Sequence, residues 1–178
     1  MKNLKKLIRL NFISILILVS IVSCKTTESN IYTLPKENGQ LVFLRPVFLD
    51  DKHFVLREIS FDLTVIIENF ELTDNNTVNY TIHIPKQYSS QLDKVEFFFQ
   101  TKEFEKILPT DISILYKDLD KNKDLEVRFS AKISKEGLAS MVANPSEAKI
   151  GLSLDNQTQV FMSESFSQKL YELGVLIQ

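Results

Sequence analysis

The stretch Ile59-Ser60-Phe61-Asp62-Leu63-Thr64-Val65-Ile66-Ile67-Glu68 decides the fold. Ile59, Phe61, Leu63, Val65 and Ile67 are apolar, whereas Ser60, Asp62, Thr64 and Glu68 are polar. Successive side chains of an extended strand point to opposite sides. Alternation of this kind therefore sets one face on a core and leaves the other in water. Val78, Tyr80, Ile82 and Ile84 repeat the pattern against Thr77, Asn79, Thr81 and His83. Leu125, Val127, Phe129, Ala131 and Ile133 do so against Glu126, Arg128, Ser130 and Lys132. Shorter runs at 41–44, 95–99, 112–116, 150–154 and 160–162 bring the count to about eight strands in one domain.

The segments between the strands agree. Thr73-Asp74-Asn75-Asn76, residues 118–124 and Asp155-Asn156-Gln157-Thr158 are short and rich in Asn and Asp. These residues tolerate positive φ and bond to their own backbone, so they collect in hairpin turns. Short polar loops between consecutive strands favour antiparallel pairing. Two helices interrupt the pattern. Ser134 is placed to cap one that carries Leu138, Met141 and Val142 and ends near Asn144, before Pro145. Ser165 with Gln168 suggests a capping box for a C-terminal helix bearing Phe166, Leu170, Leu173 and Ile177. The expected fold is mainly β: an antiparallel β-sandwich of immunoglobulin-like type, with an inserted helix and a C-terminal helix. An open sheet with both helices on one face is the second arrangement compatible with this pattern.

The amino terminus has a different character. Lys2, Lys5, Lys6 and Arg9 form a basic leader, and an apolar run of 11 residues follows from Phe12 to Val22, interrupted by Ser14 and Ser20. A basic leader, a short apolar core and a small residue at the cut make a secretory signal peptide. The apolar run is well short of the roughly 20 residues needed to span a bilayer. Ile21-Val22-Ser23-Cys24 closes it, and Cys24 is the chain's only cysteine. These four residues resemble the lipobox of bacterial lipoproteins, with an aliphatic residue at Ile21, a small one at Ser23 and the modified cysteine at Cys24. The resemblance covers 1–24 and implies a diacylglyceryl thioether on Cys24, with fatty acyl chains such as palmitate. It also implies a mature chain beginning at that residue. Two or more acyl chains hold a membrane stably where one does not. Lys25 is not the aspartate that signals inner-membrane retention in enterobacteria, which favours the outer membrane. The organisation read from the chain is a signal peptide over 1–23, a lipidated terminus and flexible tether over 24–40, punctuated by Pro35 and Gly39, and a β-rich domain over 41–178.

Charge and motifs narrow the function classes. The full chain holds 21 Lys+Arg and 23 Asp+Glu. The leader takes four of those bases, leaving 17 against 23 acids, a net of about −6. No basic cluster remains to track nucleic acid or to bind anionic headgroups. With Cys24 consumed by lipid, no thiol is left for a disulfide, a nucleophile or a metal. Asp118, Asp120, Asn122 and Asp124 place oxygens at alternate positions, as a calcium loop does. An EF-hand loop, however, needs Gly and an acid where this chain has Lys123 and Phe129, so a solvated hairpin turn is expected. His53 and His83 are the only histidines, too few for a histidine-based zinc site. His53 is expected in a turn and His83 facing solvent. No serine lies in a Gly-x-Ser-x-Gly elbow, and four glycines provide no phosphate cradle. The carboxylate pairs Asp50/Asp51 and Glu103/Glu105 read as exposed loop charge. No cofactor is expected.

Phe97-Phe98-Phe99 must show aromatic rings on both faces of its strand. Either the strand is covered on both sides, or Phe98, joined by Phe104, forms an apolar patch for a partner. The function expected is a lipid-anchored, non-enzymatic binding or scaffolding module for another envelope protein. A ligand-binding lipoprotein for import and an envelope hydrolase are the alternatives. The anchor reading predicts that the wild-type protein partitions into the detergent phase of a Triton X-114 extraction. The Cys24→Ala form should move to the aqueous phase, as immunoblotting of the two phases would show.

Overall fold

The computed structural model describes residues 29–49, 56–121 and 123–177. Among these residues the chain forms ten strands and two α-helices. The strands are β1 (Ile31–Lys36), β2 (Gly39–Leu49), β3 (Arg57–Glu68), β4 (Glu71–Leu72), β5 (Asn76–Ile84), β6 (Glu96–Gln100), β7 (Thr110–Leu119), β8 (Leu125–Ile133), β9 (Lys149–Leu154) and β10 (Gln157–Met162). The helices are α1 (Lys135–Ala143) and α2 (Glu164–Leu176), and a 3₁₀ segment (Lys86–Lys94) joins β5 to β6. All pairing is antiparallel. One sheet runs β1-β2-β3-β5-β8-β7, with β4 added to β3; the other runs β10-β9-β6. The chain is thus a β-sandwich.

The three alternating segments lie side by side in the larger sheet, Phe61 opposite Tyr80 and Tyr80 opposite Phe129. Their apolar faces meet the smaller sheet and α2. Tyr80 is stacked between Phe97 and Phe129, at 4.5 and 4.8 Å between ring centroids. Phe61 touches Phe97, Phe99 and Phe166 at 5.7, 5.7 and 5.2 Å. Offset and edge-to-face ring contacts at these separations contribute beyond the area they bury.

The turns follow their chemistry. Asp155 and Asn156 both hold positive φ, 48° and 70°, in the two-residue loop joining β9 to β10, the conformation that matches the twist of the flanking strands. Asn76 is fully buried at the start of β5 and still satisfied: its amide donates to the Thr73 carbonyl and its Oδ1 accepts from the Ile66 N–H. Ser134 caps α1, its hydroxyl accepting from the Gly137 N–H, as the sequence indicated.

Three features differ from the sequence reading. First, residues 31–36 are not tether. They form β1, which pairs with β2 from Ile31↔Leu44 to Lys36↔Gly39. Pro35 is tolerated because β1 is an edge strand with one unpaired side. Gly39 is needed because a Cβ there would lie 1.9 Å from the Ile67 carbonyl oxygen. Secondly, the cap of α2 is Ser163, whose hydroxyl accepts from the Phe166 N–H. Ser165 lies in the first turn and accepts from Lys169 Nζ at 2.6 Å. Thirdly, β1 and β4 raise the strand count from about eight to ten.

Burial pushes the Tyr80 phenol up to about 12. The unfolded chain releases that proton near pH 10 and the folded chain only near 12, so stability falls as pH rises through that window. Urea unfolding at about pH 9 and about pH 12 should show the wild type losing about 2–3 kcal/mol more than Tyr80→Phe, which keeps the ring stack without the titrating group.

Candidate functional site

The outward face of the larger sheet carries the polar halves of the alternating segments. Arg128 on β8 donates to Asp62 Oδ2 at 2.6 Å and to Thr81 Oγ1 at 3.1 Å, while Asn79 donates to Asp62 Oδ1 at 2.8 Å. Both oxygens of Asp62 and both arms of Arg128 are thus occupied across three strands. His83 was expected in solvent, but its side chain is only 16% exposed. Its Nδ1 lies 3.8 Å from Glu58 and 3.6 Å from Asp120. The reason is positional: β5 has strands on both sides, and the β7–β8 turn brings Asp120 to its end. Among the described residues, no three His, Cys, Asp or Glu side chains converge closely enough to hold a metal ion.

The aspartates of the 118–124 loop build a turn. Asp120 Oδ1 accepts from the Asp124 N–H, Asp118 Oδ1 from the Leu119 N–H, and Asp124 Oδ1 from the Lys86 N–H. Lys123 holds φ 64° and its N–H reaches the Asp120 carbonyl. Asn122 lies outside the described residues, as do Cys24, Asp50, Asp51 and His53. Glu103 and Glu105 are both exposed, and Glu103 also has a structural partner. Ser140 on α1 donates to Glu103 at 3.0 Å, so its oxygen is left to accept from Thr101, 3.0 Å away. Thr101 in turn accepts from the Phe104 N–H. This directed chain of hydroxyls ties the 101–107 segment to α1.

Phe98 does not form a docking patch, because it is 2% exposed. It fills the space over Gly151 on β9, where a Cβ would meet its ring at 2.1 Å. Lys106 Nζ sits 4.6 Å from its ring centroid and is held there by Glu96 at 2.5 Å. That bond keeps the Glu96 carboxyl below its usual range. Phe104 does remain partly open, at 40%.

A run of exposed apolar side chains lies instead on β7. Ile112, Ile114, Leu115 and Leu119 each keep more than half of their surface in water, and Tyr116 is 42% exposed. Residues 112–116 were expected to form a strand, and β7 ends the larger sheet, paired with β8 on one side. Bulges interrupt its register between Thr110 and Ser113 and between Ile114 and Tyr116. A separate open groove of about 580 Å³ at the β1–β2 turn is lined by Thr33, Pro35, Asn38 and Phe70, with Glu37 its one titratable side chain among the described residues. No helix among the described residues is long and apolar enough to cross a membrane.

No family model, curated protein or solved structure matches this chain.

Replacing Ser140 with alanine strands the buried Thr101 hydroxyl without its acceptor. The expected loss is about 1–3 kcal/mol, measured by urea denaturation at neutral pH. An unchanged midpoint would show that the hydroxyl chain contributes nothing.

Proposed function

We propose that this chain is a lipid-anchored cell-envelope protein, without enzymatic activity, that holds an extended segment of another envelope protein along the β7 edge. The signal peptide and the four residues ending in Cys24 support the anchor, with the outer membrane favoured. The observation that carries the binding role is the exposure of five large apolar residues on an edge strand with one side free. Free edge N–H and C=O groups supply affinity to an added strand, and neighbouring apolar side chains supply selectivity.

Two of the other edges are less suited to this. β1 carries Pro35 and ends in Lys36, and the free side of β6 is bridged by Ile107, which exchanges hydrogen bonds with Phe99. The bulges and Lys117 blunt β7 against indiscriminate pairing, as edge strands of soluble sheets commonly are. Phe104 and Leu108, both exposed, lie on the segment leading into β7. On the sheet's outer face Asp62 is committed to Arg128 and Asn79, which favours a binding role over hydrolysis.

A photo-crosslinker at Leu115, introduced in living cells, should give one discrete adduct with an envelope protein. A synthetic peptide of the crosslinked segment should then bind the purified chain. Ile112→Asp with Ile114→Asp should abolish both while the protein still accumulates and melts cooperatively. Failure to form the adduct, or an adduct indifferent to the two substitutions, overturns the β7 assignment.

A further inference from the structure

We infer that the outer face of α2 rests on the lipid bilayer, so that the membrane itself covers Tyr171 and Val175. This rests on the lipid-anchor reading of Cys24. Because β1 begins at Ile31, seven peptide steps join the lipidated residue to the first strand. Fully extended, that length spans at most about 25 Å. A domain of this size is roughly 40 Å across, so the anchor cannot reach around it. The side from which the chain departs must face the bilayer.

That side is marked by hydrogen bonds. The Asn30 carbonyl accepts from the Arg45 N–H, and the Asn30 amide donates to Glu172 on α2 at 2.6 Å. The chain therefore leaves the domain beside the carboxyl-terminal half of α2. The inner face of this helix is consumed by the core through Phe166, Leu170 and Leu173. On the opposite face Tyr171 is 63% exposed and Val175 59%, four residues apart and so one above the other. Glu172 between them is held by Asn30 and Gln168. Tyrosine suits the headgroup boundary, with an apolar ring and a polar tip. Two such residues would not hold a membrane unaided. A short covalent tether, however, raises the local concentration of bilayer enough to populate a weak contact. The net negative charge of the mature chain points to an apolar contact with zwitterionic lipid, not an electrostatic one.

The chain has no tryptophan, so a single introduced one reports cleanly. The full lipidated protein carrying Tyr171→Trp is reconstituted in phosphatidylcholine vesicles containing shallow-brominated phosphatidylcholine. Tyr116→Trp, on the opposite edge strand of the larger sheet, serves as the reference. Bromine should quench the Tyr171→Trp emission at least about twofold and leave Tyr116→Trp unchanged. Mass spectrometry of the Cys24 peptide is read first. An unmodified Cys24 overturns the anchor reading and this inference with it. A lipidated chain in which both reporters respond alike overturns the inference alone.

Discussion

The ring of Phe61 touches Phe97 and Phe99 of the smaller sheet and Phe166 of α2, so one side chain joins the three elements that enclose the core. Tyr80, its cross-strand neighbour, extends the stack to Phe129 on β8. With no disulfide available to the domain, this aromatic packing and the surrounding aliphatic core supply its cohesion. Ring contacts are geometrically selective, and they fix how the smaller sheet lies on the larger one. The register of that packing also determines which parts of the surface are left uncovered.

The smaller sheet has three strands and the larger has seven. The lid is narrower than the sheet it covers, and α2 closes part of the remainder by packing against β1 and β2. At the other edge, β7 keeps its apolar residues in water. The two surfaces to which function is assigned follow from this mismatch. One edge, beside the chain's entry, is occupied by a helix, the face proposed to rest on lipid. The opposite edge is left open for a strand. On the proposed reading, a tethered protein would direct its binding edge away from its anchor, as holding a partner requires.

The alternating segments β3, β5 and β8 were legible because period-two alternation is a local signal with a single physical cause, a sheet with one wet face. The β9–β10 turn was legible for a similar reason, since Asp155 and Asn156 tolerate the positive φ it requires. β1 was not. Its residues alternate weakly, Pro35 and Gly39 resemble punctuation, and it is a strand only because β2 lies beside it. Ser163 and Ser165 are equally good capping residues in isolation, and the choice fell to the one that places Phe166 in the core. For Phe98, the rings flanking it pointed to a two-faced strand, but its cover depends on the absent side chain of Gly151, more than fifty residues away.

By itself the sequence determined the β class, the apolar faces and a single cysteine closing a stretch that resembles a lipoprotein signal. Each of these is written in neighbouring residues and depends on local geometry or on short linear recognition. Tertiary structure alone decided that Phe98 is buried, that β7 is an open edge, and that the chain departs beside α2. These depend on which distant segments come together, and burial is a property of the assembled surface that no window of sequence contains.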